Sequence, residues 1–309
     1  MSADPSHFAD ALMDAIERKN SVLCVGLDPR IELIPRPVRE LAFRQYSNPA
    51  EAAAHAFLAF GKEVIDAVAD VAPAVKIQIA FYEMLGWQGI KAYQETVAYA
   101  RERGLLVIGD VKRGDIGPTC EAYAAGHLGR VSLGGEEIDI WHEDSITVNP
   151  YLGSDGIIPF RDRAKKFGKG FFVLLKTSNP SGGEIQDLLS AGEPVHLHLA
   201  KLVRAWGEDL VGRSGYSSVG AVVGATYPET VVRLRKLMPE TPFLVPGFGA
   251  QGATAQDLAG AFDAHGLGTI VNSSRALIFA YEDPSDPNWA RHVARAALSM
   301  TRELNQVRR

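Results

Sequence analysis

The stretch Gly109-Asp110-Val111-Lys112-Arg113-Gly114-Asp115 sets three charged groups, Asp-x-Lys-x-x-Asp, at the end of the apolar run Leu105-Leu106-Val107-Ile108. Side chains alternate along a strand, which puts Asp110 and Lys112 on one face. Asp115 follows where the strand turns into a loop. An ammonium held between two carboxylates keeps its proton to high pH, because opposite charges favour the charged form. Such a group donates a proton and is a poor base. The alternative is a strand-end salt bridge with no chemistry. Ionisable groups gathered at a strand end favour a site.

Something must carry these charges. Apolar runs recur at Val22–Leu27, Ala74–Ile79, Leu105–Val111, Ser145–Val148, Phe171–Lys176, Val219–Val223, Phe243–Val245 and Thr269–Asn272. Most are rich in Val, Ile and Leu on both faces, as in parallel strands buried on both sides. Helical patterns predict Pro5–Arg18, Asn48–Ala69, Trp87–Arg103, Ser154–Phe167, Val195–Val211, Pro228–Met238, Thr254–His265 and Asn288–Asn305. Eight strands alternating with helices predict an α/β fold, a (β/α)8 TIM barrel with an extra N-terminal helix. A doubly wound open sheet is the alternative. No stretch reads as a linker, so residues 1–309 are expected to form one domain. Length beyond the barrel norm sits in the N-terminal helix, around Gly129–Asp144, and in Ser181–Val211.

Barrel active sites gather at the C-terminal strand ends. Polar residues fall there in this chain: Asp28, Lys76, Asp110 with Lys112, Asn149, Lys176-Thr177-Ser178, Thr226, and Ser273-Ser274-Arg275. Pro246-Gly247-Phe248-Gly249-Ala250-Gln251-Gly252 satisfies GxGxxG. It follows the seventh strand, and no acidic residue stands about 20 positions on, so a dinucleotide site is rejected. Its backbone amides can still serve an anion. With Arg275 opening a helix after strand eight, this end suits a phosphate. Gln251 either reaches that phosphate or is solvated.

Composition narrows the partners. Of 309 residues, 32 are Lys or Arg and 37 Asp or Glu, a net charge of −5, so no basic field exists for nucleic acid and no polybasic run for a membrane. Cys24 and Cys120 are the only cysteines, too few and too far apart for a zinc site or disulfide scaffold. The N-terminus lacks the basic and apolar regions of a signal peptide, and no run of about 20 apolar residues occurs. A cytoplasmic location is the expectation. His196-x-His198 does not put two imidazoles on one helix face, which argues against a metal.

In order along the chain, Cys24-Val25-Gly26-Leu27-Asp28-Pro29, Val75–Glu83, the Asp110–Asp115 run, Lys176-Thr177-Ser178-Asn179-Pro180, Val223–Glu229, Pro246–Gly252 and Ser274-Arg275 resemble the orotidine 5′-phosphate decarboxylases, in their longer bacterial subfamily (type 2). The resemblance runs from about Val22 to Leu277. It implies a homodimer that converts orotidine 5′-monophosphate to uridine 5′-monophosphate (UMP) and CO2 with neither metal nor organic cofactor. Lys76, Asp110, Lys112 and Asp115 match the family's charged tetrad, with Lys112 protonating C6 of the pyrimidine. Asp115 and Thr119 match residues that reach the neighbouring subunit's site. Asp28 matches a ribose contact, Ser178 a contact to the pyrimidine amide, and Gln251 and Arg275 the phosphate grip. Two positions depart from the pattern: Lys76-Ile77-Gln78 stands where Lys-Pro-Asn is expected, and Gly109 where Ala is expected.

Three other readings fit part of the pattern. A sugar-phosphate lyase or epimerase with the same Asp-x-Lys-x-x-Asp run uses magnesium and wants a carboxylate in strand two, where this chain has the cation Lys76. A Schiff-base aldolase wants a neutral Lys112, Lys76 or Lys176, and flanking aspartates oppose that for Lys112. A non-catalytic nucleotide binder needs Arg275 but not the tetrad.

Overall fold

The computed structural model describes residues 7–249 and 254–308. Among these, eight parallel strands close into a barrel: β1 (Leu23–Leu27), β2 (Ala74–Gln78), β3 (Leu106–Arg113), β4 (Ser145–Val148), β5 (Gly170–Lys176), β6 (Val219–Val223), β7 (Phe243–Pro246) and β8 (Thr269–Ser273). Each pairs with its sequence neighbours, and β1 pairs with β8 to close the ring. The strands are almost wholly buried. That is the burial expected of runs that are apolar on both faces. Register places Gly26 beside Lys76, Lys76 beside Ile108, and Gln78 beside Asp110, so the polar ends of β1 to β3 lie side by side.

Helices α1 (Phe8–Lys19), α2 (Arg36–Gln45), α3 (Pro49–Val68), α4 (Trp87–Glu102), α5 (Gly117–Leu128), α6 (Ile158–Phe167), α7 (Val195–Gly207), α8 (Pro228–Leu237) and α9 (Trp289–Val307) pack outside or below the barrel. Local chemistry sets their starts. Asn48 caps α3, its Oδ1 accepting from the amides of Ala50 (2.9 Å) and Glu51 (3.2 Å), with Pro49 at the first position. Helix α1 supplies Phe8 to the amino end of the barrel, edge-on to Phe172 at 5.9 Å. Gly170 makes room for it, since a Cβ there would lie 2.1 Å from the Phe8 ring.

Three elements depart from the periodicity. Helices α2 and α5 form where none is predicted; in α5 the buried residues are only Cys120, Ala124, His127 and Leu128, and Gly117 and Gly126 dilute the helical signal. The helix expected over Thr254–His265 is a 3-10 segment, Gln256–Ala261. Asp257 accepts from both the amide and hydroxyl of Thr254 at 2.8 Å, and Gly260 is pressed on Val232 of α8, where a Cβ would come within 2.3 Å. The Thr254–Asp257 pair caps the start of the segment, while a glycine inside it disfavours a longer α-helix. The two extra segments beyond the barrel each hold a short antiparallel hairpin, Val131–Leu133 with Glu136–Ile138 and Leu189–Ser190 with Glu193–Pro194. No described helix is long and apolar enough to cross a membrane.

Candidate active site

Strand β3 does not run straight to its end. Its register with β4 slips between Gly109 and Arg113, and Lys112 adopts the left-handed conformation, φ 44°. A bulge of this kind re-aims a side chain. It seats the Lys112 amide on Thr147 Oγ1 (3.0 Å) and brings the Lys112 Nζ back to Asp110 Oδ1 at 2.5 Å. The two residues meet as expected, but through a bulge and not through plain strand alternation.

Asp110 is the hub. Its Oδ2 accepts from Lys76 Nζ at 2.6 Å and Gln78 Nε2 at 2.9 Å, and its Oδ1 accepts from Lys112 and from Thr147 Oγ1 at 2.9 Å. Lys76 also lies 3.8 Å from Asp28 Oδ1. Lys76 and Asp110 are buried, while the Lys112 side chain is 47% exposed. Burial by itself would raise the Asp110 carboxyl; the Lys76 and Lys112 ammonium groups outweigh it and hold the carboxyl well below its ordinary range. Burial by itself would lower Lys76; the carboxylates of Asp110 and Asp28 outweigh it and hold the ammonium above its ordinary value. Cys24, beside this group, is pushed up to about 12 by burial and is no nucleophile near neutrality.

The hub sits between two adjoining lobes of one cleft, which share Lys76, Asp110 and Pro246. One lobe, about 240 Å³, has Asp28, Arg30, Asn272 and Arg275 in its wall. Asp28 Oδ1 and Asn272 Oδ1 are buried acceptors without a hydrogen-bond donor among the described residues. Such orphans suit a ligand that brings hydroxyls, and the two guanidinium groups suit an anion. The other lobe, about 250 Å³, has Lys112, Thr177 and Ser178 at its rim and Leu174, Val222 and Leu244 beneath. An apolar floor with polar groups at one edge suits a flat ring. Lys112 opens into this lobe.

Of the sequence-predicted residues, Asp28, Lys76, Asp110, Lys112, Ser178 and Arg275 therefore line one cleft. Asp115 and Thr119 do not line it. Asp115 Oδ1 accepts from the Ile116 amide at 2.8 Å, and Thr119 is exposed in the first turn of α5. Within one chain Lys112 thus pairs with Asp110 and not with Asp115, because the bulge turns Lys112 inward while the chain after Arg113 leads outward. Gln251 lies outside the described residues.

The two departures have physical accounts. Gln78 is a donor to the hub carboxylate. Gly109 leaves room for Glu143, whose Oε1 lies 2.1 Å from where a Cβ would stand, so a side chain at 109 would have to displace it. The buried Glu143 accepts from Tyr93 Oη and pairs with His127 Nδ1 at 2.7 Å, with Trp141 stacked on that imidazole. Residue types alone flag neither Thr147 nor Glu143. Thr147 was findable as a hydroxyl in an otherwise apolar strand; Glu143 was not, since it lies before β4 with no spacing to tie it to β3.

Comparison with known proteins places the chain in a family. Residues 21–286 match the family model described as "Orotidine 5′-phosphate decarboxylase / HUMPS family". A relative named orotidine 5′-phosphate decarboxylase, from Rhodopirellula baltica, is 44% identical over 303 residues, covering 96% of this chain and 98% of that one. The solved structure of Leishmania donovani OMP decarboxylase has a TM-score of 0.72 at 31% identity, with 98% of both chains covered. The Methanocaldococcus jannaschii decarboxylase, solved in complex with the inhibitor BMP, shares the fold at a TM-score of 0.56 and 20% identity, covering 89% of this chain and 97% of that one.

Two outcomes follow from the hub and its backing. Gly109→Ala should cost about 1–3 kcal/mol of stability by overpacking. Glu143→Ala in the same chain should recover part of that loss, so a denaturant double-mutant cycle will read non-additive. For pH the sign is set by the lowered Asp110 carboxyl. Its contribution is present above the unfolded carboxylate value of about 3.9 and is lost as pH falls through the folded value. Unfolding free energy should therefore fall more steeply between pH 5 and pH 2 in the wild type than in Asp110→Asn; parallel slopes would exclude the hub as the source.

Proposed function

The chain belongs to the orotidine 5′-phosphate decarboxylase / HUMPS family, and we propose that within it this protein decarboxylates orotidine 5′-monophosphate to UMP, the closing step of pyrimidine nucleotide synthesis. The observation that carries this reading is the Asp110 carboxylate shared by Lys76 and Lys112 at the junction of two lobes. The phosphate end of the nucleotide lies toward Arg275, with Gln251 from outside the described residues completing the grip. The ribose hydroxyls take the free acceptor of Asp28, and the pyrimidine lies in the lobe bordered by Ser178.

Cleavage of the bond from C6 to the carboxylate leaves the electron pair on C6 and releases CO2. The Lys112 ammonium faces that carbon, stabilises the developing charge, and transfers a proton to it, giving UMP; solvent returns the proton to the lysine. Its place is fixed before reaction by Asp110, so little reorganisation is needed at that moment. Lys76 holds the other oxygen of Asp110. Binding of the remote phosphate supplies energy that the reacting carbon can use.

The reaction is read as metal-free. The magnesium-using branch wants a carboxylate on β2, and here that position is the ammonium of Lys76, which repels a divalent cation. We read the active form as a homodimer in which Asp115 and Thr119 serve the partner's cleft. Support comes from the apolar surface around Asp115: Ile116, Tyr123, Tyr151 and Leu152 are 54%, 37%, 81% and 47% exposed. Large apolar side chains exposed near one another in this way suit an interaction face. The same reading takes residues 1–309 as one barrel domain in the cytoplasm, in keeping with the free thiols of Cys24 and Cys120.

The deciding assay follows pyrimidine absorbance with orotidine 5′-monophosphate and a chelator present. Turnover should persist; its loss on chelation would restore the magnesium rival, and no turnover by folded wild-type protein would sink the reading. Lys112→Ala should lose at least about 10²-fold in turnover, the scale of one positioned proton donor, while UMP binding stays measurable by calorimetry. Mixing inactive Lys112→Ala with inactive Asp115→Ala should regain activity, since half the sites in a mixed dimer are intact. A mixture no more active than its parents would keep Asp115 out of the neighbouring site.

A further inference from the structure

Lys176 ends β5 with its side chain 2% exposed, and its Nζ donates to both carboxylate oxygens of Asp187 at 2.7 Å. Its ammonium also lies 4.6 Å from the centre of the Tyr227 ring. The mechanism uses none of these groups. The neighbouring residue, Gln186, grips Thr177 twice: Oε1 accepts from the Thr177 amide at 3.0 Å, and Nε2 donates to its hydroxyl at 2.7 Å. That hydroxyl in turn donates to Asn179 Oδ1 at 2.6 Å. The contacts converge on the residues that flank Ser178. Gly182 packs closely under them, where a Cβ would stand 3.1 Å from Thr177 Oγ1 and 3.2 Å from Gln186 Oε1. From the other side His196 of α7 bonds the Gln186 carbonyl at 2.9 Å through Nδ1.

We infer that Gln186 and Asp187 are positioning residues for base recognition: the segment between β5 and α7 is a brace that fixes the Thr177–Asn179 rim of the lobe into which Lys112 opens. The inference rests on the reading that this lobe takes the pyrimidine. The rim residues follow directly on a buried strand, but their own side chains are half-buried or exposed, and strand pairing does not hold them. The brace replaces strand pairing with side-chain hydrogen bonds and one ion pair whose cation is buried. A polar group displaced by about 1 Å can cost about 10²-fold in rate, so a small loosening of this rim has a measurable effect.

The test uses the full-length chain and two ligands, UMP and ribose 5-phosphate, the second lacking the base. Gln186→Ala and Asp187→Asn should weaken UMP and lower kcat/KM by about tenfold to 10²-fold, with ribose 5-phosphate affinity unchanged. Equal losses for both ligands, or no loss, would overturn the inference. Asp187→Asn also leaves a buried ammonium without its carboxylate and should lower the melting temperature. Lys176→Met combined with Asp187→Leu removes the stranded charge and should restore the melting temperature while UMP binding stays weak. Binding that returns together with stability would make the pair merely structural and overturn its positioning role. Wild-type protein that fails to bind UMP at all would instead strike the reading of the cleft, before the brace is at issue.

Discussion

One buried carboxylate between two ammonium groups organises this protein. Asp110 is out of water, and a lone charge there would be costly; removing one partner from a buried pair typically costs about 3–5 kcal/mol. The structure spends four donors on it: Lys76, Gln78, Lys112 and Thr147. These come from β2, β3 and β4, so three neighbouring strands must hold register for the hub to exist. The bulge in β3 and the left-handed Lys112 follow from the same demand, because one strand has to supply both the carboxylate and an ammonium that returns to it.

The surroundings divide labour by polarity. Behind Asp110, Gly109 gives its space to Glu143, which is tied to Tyr93 and His127, and this packed group backs the strand that carries the hub. In front, Lys112 is half exposed in a cleft whose apolar floor and cationic far end are separate lobes. Lys112 is thus held by an ion pair yet left open to a ligand. Beyond the strand end, order is kept by side chains such as Gln186 and Asp187 rather than by the sheet.

Much of this was legible from residue types. Apolar runs with polar residues at their ends announce a barrel with its site at one rim, and Asp28, Lys76, Asp110, Lys112, Ser178 and Arg275 all reach one cleft. Strand alternation alone puts Asp110 and Lys112 on one face, whereas a bulge makes their contact. Helix α5 was hidden because its buried positions are few and small. The Thr254–His265 pattern looked helical because periodicity does not register Gly260 pressed against Val232. Asp115 looked like the second carboxylate on Lys112, and within one chain it is not.

By itself the sequence determined the strand order, the face of the barrel that bears charge, and the identity of the groups available for chemistry. These are consequences of local hydrophobic patterning and of side-chain type, and both are written along the chain. Only the tertiary structure decided which donors share Asp110, what occupies the space beside Gly109, and which residues brace Ser178. Those depend on approach between groups far apart in sequence, such as Thr147 with Asp110 or Glu143 with Gly109. Close packing fixes such contacts to within about an ångström, and no spacing along the chain encodes that distance.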